Sequence, residues 1–266
     1  MMYQTKYHRP ASIDDAVAAL AAAEDGKFLS GGQTLLATMK QRLAAPTDLV
    51  DLRGIPGLSG ITVDADGVTI GAATIHADVA SSPEVAAAIP ALAALASHIG
   101  DPSVRNMGTI GGSLANNDPA ADYPAAVLGL NGTVITNQRE IPAEEYFVGL
   151  FATALEEGEI IKAVRFPRPK RAAYQKFAQP ASRFALVGVL VAETDDGVRV
   201  AITGAGSDGV FRAETFEEAL NGDFSAGALD GASVDADELM NDIHATPEYR
   251  AHLARVLAQR AVKAAG

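Results

Sequence analysis

The chain of 266 residues has no cysteine. That excludes a disulfide, a thiolate zinc site and a thiolate-ligated iron–sulfur cluster on this polypeptide. Positive charge is scarce: 21 Lys and Arg stand against 33 Asp and Glu, a net charge of −12. A nucleic-acid surface, whose mark is a basic stripe, is therefore not expected. No apolar run is long enough to span a bilayer, so no membrane span is expected either. Met1–Pro10 lacks the apolar segment of a secretory signal, and a cytoplasmic location is the default. There is no Gly-x-Ser-x-Gly elbow to support a hydrolase. His8, His76, His98, His244 and His252 are scattered without close-spaced ligand partners and are expected at surface or boundary positions, not around a metal.

Glycine, by contrast, recurs in a pattern. Ser30-Gly31-Gly32-Gln33-Thr34 and Thr109-Ile110-Gly111-Gly112-Ser113 each set a Gly-Gly pair between small polar side chains and run into an apolar, helix-capable segment. Without Cβ atoms, such a pair lets backbone amides approach a ligand. Successive inward N–H groups form an anion-binding nest, to which hydroxyls add donors. Two such loops on one chain point to a pyrophosphate, as in a dinucleotide cofactor. Gly-Gly serves ordinary tight turns equally well, so the flanking chain has to decide.

Residues 1–53 read as helix, strand, glycine loop, helix, strand. Ser12 is a natural N-cap, with Asp14 and Asp15 in the first turn and Gly26 as the stop. Phe28–Ser30 is a short strand, Leu35, Leu36, Met39 and Leu43 give the next helix its apolar stripe, and Asp48–Leu52 is a second strand. Leu58–Val63 and Val68–Ala72 flank an Asp66-Gly67 turn and predict a hairpin. His76–His98 is Ala-rich and helical, broken at Pro83 and Pro90. Gly100–Asp122 reads as a long irregular stretch, and long loops are usually functional. A short helix is expected over Pro124–Leu130, edge strands over Thr133–Thr136 and Arg139–Pro142, and a strong strand over Glu159–Pro167.

Pro167–Arg171 is proline-rich and basic and marks a boundary. Beyond it, Ala173–Ala178, Ala185–Glu193 and Val198–Gly204 predict an open-faced three-stranded antiparallel sheet, covered by helices over Thr215–Leu220, Asp235–Asp242 and Pro247–Ala264. Gly204–Gly209 matches G-x-G-x-x-G, but no apolar parallel strand follows it, so a nicotinamide-binding Rossmann unit is a minor alternative and a turn the main one. The acid pairs Asp14/Asp15, Glu144/Glu145 and Glu156/Glu157 read as solvated faces.

The run Asn116–Pro124 sets several short polar side chains directly after a glycine loop, where they can meet loop backbone or cofactor hydroxyls. Taken with Ser30-Gly-Gly-Gln-Thr-Leu, Arg105-Asn-Met-Gly-Thr-Ile-Gly-Gly-Ser-Leu, Asp118-Pro-Ala-Ala-Asp-Tyr-Pro and Lys176-Phe-Ala, this order resembles the FAD-binding medium subunit of the molybdenum hydroxylases, the xanthine dehydrogenase and carbon monoxide dehydrogenase family. The resemblance runs over essentially the whole chain. It implies an α+β fold: a vanillyl-oxidase (PCMH)-type FAD-binding domain of two subdomains, near 1–55 and 56–170, then a C-terminal domain over 171–266. It implies noncovalent FAD here, with the molybdenum cofactor on a large partner subunit and two [2Fe-2S] clusters on a small one, assembled as a dimer of heterotrimers. Electrons would pass from the clusters to FAD and on to a small-molecule or protein acceptor. An alternative is a stand-alone FAD-dependent oxidase or reductase of the same fold.

By position, the resemblance assigns Phe28, Leu29, Ser30, Gly31, Gly32, Gln33 and Thr34, with Thr109, Ile110, Gly111, Gly112 and Ser113, to the FAD pyrophosphate. It puts Asn116 and Asp122 at the ribose or ribityl side, Ile99 and Gly100 near the isoalloxazine ring, Ile161 against FAD, and Lys176 beside the flavin, where a cation raises its potential. Two departures stand out. The family usually continues Lys176-Phe-Ala-Gln with Arg and then Ala-Ser-Asp, where this chain has Pro180 and Ala181-Ser182-Arg183, and it often has a basic residue where Met107 stands.

Overall fold

The first sheet is parallel, because a helical crossover joins each strand to the next. It consists of β1 (Lys6–His8), β2 (Gly26–Leu29) and β3 (Asp48–Asp51) in the order β1-β3-β2, connected by α1 (Ile13–Ala21) and α2 (Leu35–Lys40). The computed structural model describes residues 3–266, so Met1 and Met2, the start of the Met1–Pro10 stretch, lie outside the described residues. Ser12 caps α1 as expected, its hydroxyl accepting from the Asp15 N–H at 3.1 Å. Gly26 does not stop that helix: α1 ends at Ala21, and Gly26 opens β2. Helix α2 ends at Lys40, which leaves Leu43, expected on the apolar stripe, 75% exposed. The sequence reading lacked β1, three residues long with two exposed positions and no apolar pattern to announce it.

The chain then forms the hairpin β4 (Ile61–Val63) and β5 (Gly67–Gly71), and a helical run α3 (His76–Ser81), α4 (Pro83–Ala88) and α5 (Pro90–Ser97). The breaks fall at Pro83 and Pro90, where the absent N–H is harmless at a helix start. The stretch expected to be irregular contains two short helices, α6 (Pro102–Arg105) and α7 (Ile110–Asn116), before α8 (Tyr123–Gly129). Two glycines hide α7 from a propensity reading. What starts it is Thr109, whose hydroxyl accepts from the Gly112 N–H at 3.1 Å.

Next come β6 (Thr133–Thr136), β7 (Glu140–Pro142), α9 (Ala143–Tyr146), the small hairpin β8 (Phe147–Gly149) and β9 (Ala152–Thr153), and β10 (Ile161–Pro167). The five-stranded sheet has the order β4-β5-β10-β6-β7, so Thr133–Thr136 is an interior strand, not an edge. Strand β10 lies at the centre, antiparallel to β5 and β6, with Phe166 opposite Val68 and Val164 opposite both Ile70 and Val134. Val68, Ile70, Leu92, Leu95, Ile110, Leu114, Val164 and Phe166 are fully buried there. At about 1.5–3 kcal/mol per side chain, they anchor the helices that carry the second glycine pair to the sheet.

The last sheet has four antiparallel strands, not three: β11 (Arg171–Ala178), β12 (Ala185–Thr194), β13 (Gly197–Gly206) and β14 (Gly209–Arg212), in sequence order. Strand β14 was hidden behind Gly204–Gly209, which closes β13 and turns into β14 with Gly206 opposite Gly209. That antiparallel turn leaves no Rossmann unit at this motif. One face is covered by α10 (Glu214–Gly222) and α11 (Pro247–Ala265); the expected helix over Asp235–Asp242 is only a 3-10 turn at Ala236–Glu238. The other face is not open. It packs on α8, where a Cβ on Gly129 would come within 2.6 Å of Leu190. Arg199 donates to the Leu128 carbonyl at 3.1 Å and to Glu144, and Arg212 reaches Glu144 at 2.9 Å. Glu144, expected to be solvated, thus ties α9 to the last sheet, and Arg199 ties α8 to it. No helix of the described residues is long and apolar enough to cross a membrane.

Candidate functional site

A cleft of about 610 Å³ lies where the parallel sheet, the second sheet's helices and the β11–β12 loop converge. That size suits a cofactor-scale ligand. Both glycine segments line it. They touch each other as well: the Ser30 and Thr109 hydroxyls are 2.7 Å apart. A Cβ on Gly31 would collide with the Met107 carbonyl, and one on Gly111 would come within 2.6 Å of Ala72. These glycines let backbone approach backbone across the two parts of the site.

The segments differ in what they offer a ligand. In the first, Gly32 takes φ +71°, a left-handed turn that suits glycine. The N–H groups of Gly31, Gly32, Gln33 and Thr34 meet no acceptor among the described residues. Four successive unspent donors around a positive-φ glycine make an anion cradle. In the second, the amides are spent: Ile110 donates to Thr74 at 3.2 Å, Gly111 to Ala72 at 2.9 Å, and Gly112 to Thr109 Oγ1. Of the two glycine loops read as possible anion nests, only the first thus has free backbone amides. The second segment contributes close packing and the Ser113 hydroxyl, while the side-chain amide of Asn116, one turn on, makes no hydrogen bond to the described residues. The residues thus fit a dinucleotide diphosphate, with the charge-binding amides on one side.

At the far end, Ile99 and Gly100 (φ +51°) form a turn held by Arg105, which donates to their carbonyls at 2.9 and 3.1 Å. Ser182, Arg183 and Phe184, from the loop between β11 and β12, line the same cleft. Asp122 enters the wall from the start of α8. Its carboxylate accepts from Tyr174 at 2.6 Å and from Lys176 at 2.9 Å, and Lys176 also donates to the His98 carbonyl at 3.1 Å. Burial pushes the Asp122 carboxyl up, against the pull of the Lys176 charge and both hydrogen bonds. Glu159, just before β10, is also buried; burial would raise its carboxyl, but Arg139, the Glu156 N–H and Thr136 together hold it below the usual range.

Residues 28–34, Ile99, Gly100, Thr109, Gly111, Gly112, Ser113, Asn116, Asp122 and Ile161 all reach the cleft wall. Ile110 does not: it is fully buried in the main core. Lys176 does not line the wall either; it stands behind Asp122, with 4% of its side chain exposed. Among the wall residues that the sequence did not point to are His76, Val104, Gly108 and Phe184. His76 opens an Ala-rich helix with no motif around it, so only the tertiary fold reveals its position.

A glycine-loop cleft between a small parallel sheet and a larger antiparallel one, with a third sheet packed on the second, defines an FAD-binding protein of the vanillyl-oxidase type. Residues 2–169 match the FAD binding domain in molybdopterin dehydrogenase, and residues 172–265 match the CO dehydrogenase flavoprotein C-terminal domain. The chain is 38% identical to the nicotine 6-hydroxylase medium subunit of Paenarthrobacter nicotinovorans, over 98% of this chain and 97% of that one. It is 34% identical to the carbon monoxide dehydrogenase medium chain of Hydrogenophaga pseudoflava, over 98% and 96%. Among solved structures, the carbon monoxide dehydrogenase from that organism superposes with a TM-score of 0.89 at 34% identity, covering 100% of this chain and 98% of the other. Quinoline 2-oxidoreductase from Pseudomonas putida 86 gives 0.89 at 28%, with the same coverage. The chain belongs to the FAD-binding medium subunits of the molybdenum hydroxylase family, and so to the oxidoreductases.

Proposed function

We propose that this chain is the electron-transfer flavoprotein subunit of a molybdenum-containing hydroxylase or dehydrogenase complex. The observation that carries the reading is the set of unspent amides at Gly31–Thr34, locked against the second glycine segment by Ser30 and Thr109. Gly31, Gly32, Gln33 and Thr34 hold the FAD pyrophosphate through their N–H groups, with Thr109, Gly111, Gly112 and Ser113 closing the opposite side. Asn116 and Asp122 meet the ribose or ribityl hydroxyls. Ile99, Gly100 and Ile161 enclose the ring, and Phe28 and Leu29 support the cradle from β2. Bound there, FAD supplies the two-electron chemistry that links one-electron clusters to an external acceptor. Ile110 and Lys176 serve from behind the wall, the first as core, the second by fixing the Asp122 carboxylate.

The partners are a large subunit with the molybdenum cofactor and a small one with two [2Fe-2S] clusters, in a cytoplasmic dimer of heterotrimers. Cysteine is absent from this chain, so thiolate-held clusters have to come from a partner. The parts divide at 1–55, 56–170 and 171–266. Affinity purification of the tagged chain from its own cells tests the reading. A flavin spectrum with copurified cysteine-rich and large molybdenum subunits is expected. A yellow protein that purifies alone and oxidises a substrate of its own would instead mark a stand-alone oxidase or reductase.

A further inference from the structure

His76 is the first residue of α3 and is 4% exposed. Its backbone N–H donates to the Gly108 carbonyl at 2.9 Å, and the neighbouring Ile75 bridges to Thr109. The histidine is thus fixed by main-chain bonds to the segment that carries the second glycine pair. Its ring packs on Tyr123, centroids 5.3 Å apart, and Nε2 lies 2.7 Å from where a Cβ on Gly108 would stand. Both His76 and Gly108 belong to the cleft wall.

Among the described residues, neither ring nitrogen has a hydrogen-bond partner. Nδ1 is buried with no hydrogen-bond partner, and Nε2 makes no hydrogen bond to the described residues. No carboxylate is paired with the ring. The charged and titratable groups beside it are the Arg105 guanidinium and the Tyr123 phenol, whose own hydroxyl is buried and unpartnered. Burial, with the Arg105 charge adding to it, lowers His76 to about 4, so the ring is neutral at pH 7. A neutral imidazole carries one proton. An orphaned buried N–H costs more than an unused lone pair, which puts the proton on Nε2, not on the enclosed Nδ1.

We infer that His76 is a cofactor-binding residue whose neutral imidazole donates the Nε2 proton to an oxygen of the dinucleotide in the cleft. This rests on the reading that the cleft holds FAD. The hydrogen bond uses the buried donor and adds a contact from α3, an element that neither glycine segment belongs to. Gly108 has to be glycine for the same reason, since any side chain there would fall on Nε2.

The test is FAD titration of the deflavinated full-length chain, followed by flavin fluorescence, for the parent, His76→Leu and His76→Gln. Loss of one buried hydrogen bond weakens binding about tenfold in His76→Leu. His76→Gln can place an amide N–H where Nε2 stands and should bind close to the parent. Nitrogen-15 spectra of the histidine-labelled parent give a second readout: an Nε2–H tautomer in which the Nε2 resonance moves on FAD addition while Nδ1 remains unprotonated. A folded His76→Leu chain with parental affinity, or a His76 that is Nδ1-protonated or charged in the complex, overturns the inference alone. A parent chain that takes up no FAD overturns the reading of the cleft, and the inference with it.

Discussion

Ser30 and Thr109 share a hydrogen bond of 2.7 Å across 79 residues of sequence, and it joins the two glycine segments at the cleft. Thr109 also caps α7, so one hydroxyl both starts that helix and docks it on the first segment. Thr109→Val keeps the shape and removes both bonds. It should cost about 1–2 kcal/mol of stability and loosen FAD retention, measured by chemical denaturation and by flavin content after gel filtration. Unchanged values in both would take the bridge out of the site.

Gly32 and Gly57 both have left-handed backbones, φ +71° and +83°. A valine at either carries a backbone strain of roughly 1–2 kcal/mol, and at Gly32 its Cβ would also come within 2.8 Å of Leu36 Cδ1, where Gly57 has open space. Of the two, only Gly32 lies in the run of four unspent amides that lines the cleft, so Gly32→Val should lower FAD affinity at least about a hundredfold through several lost charge-assisted bonds. Gly57→Val should leave it unaltered. Equal flavin content in the two purified variants would refute the cradle assignment.

Lys176 and Asp122 are a buried, mutually neutralising pair, each side chain 4% exposed. Lys176→Met takes the counter-charge from a buried carboxylate, which has to take up a proton to stay buried, and should cost up to about 3–5 kcal/mol. Adding Asp122→Asn should recover much of that loss, as a double-mutant cycle would measure. The pair also changes the expected electrostatics. With Asp122 already raised by burial, removal of Lys176 drives it to take up a proton, and the flavin potential should stay near the parent's. Asp122→Asn leaves the ammonium unbalanced and should raise that potential by roughly 30 mV. Redox titration of the two single variants separates these outcomes.

Asp51, in β3, is held by Arg53 at 2.7 Å and by the Tyr7 hydroxyl. Burial would raise its carboxyl, but these hydrogen bonds outweigh it and bring it to about 2, against 3.8 for the free group. The folded form therefore gains stability that is fully present above about pH 4 and is lost as pH falls toward 2. With solvent screening at the half-exposed Arg53, on the order of 1 kcal/mol is at stake. Denaturation midpoints between pH 6 and pH 2.5 should show an acid-side drop that is shallower in Asp51→Asn.

Flavin should be released entirely into the supernatant on acid precipitation. There is no cysteine to hold it, and the glycine segments contain neither histidine nor tyrosine. His76 is the wall residue that bears on this, so yellow colour in the pellet of the parent but not of His76→Leu would reveal a covalent link there.

Much of the cleft was legible because glycine pairs and short polar side chains mark backbone conformations directly. Residues 28–34, Thr109 and 111–113 were picked out without knowing the tertiary fold, and all line the cleft. Legibility failed where packing decides. Nothing in the sequence distinguishes the free amides of the first segment from the spent amides of the second, since Ala72 and Thr74 supply the acceptors from far away. Ile110 and Lys176 sit among site residues in sequence but turn into the core and behind Asp122. The four-stranded last sheet was shortened to three because β14 is only four residues long and follows a glycine-rich turn.

Strand β10 occupies the middle of its sheet, pairing with β5 far behind it in the chain. During synthesis, a ribosome that has released everything up to residue 160 has exposed β5 and β6 with no strand between them. The central gap closes only when Ile161–Pro167 emerges, and loop closure over such a span is slow. Nascent chains shorter than this should remain protease-sensitive and prone to capture by chaperones. The cofactor cleft, which β10 helps to wall through Ile161, is therefore one of the later features of the molecule to come into being.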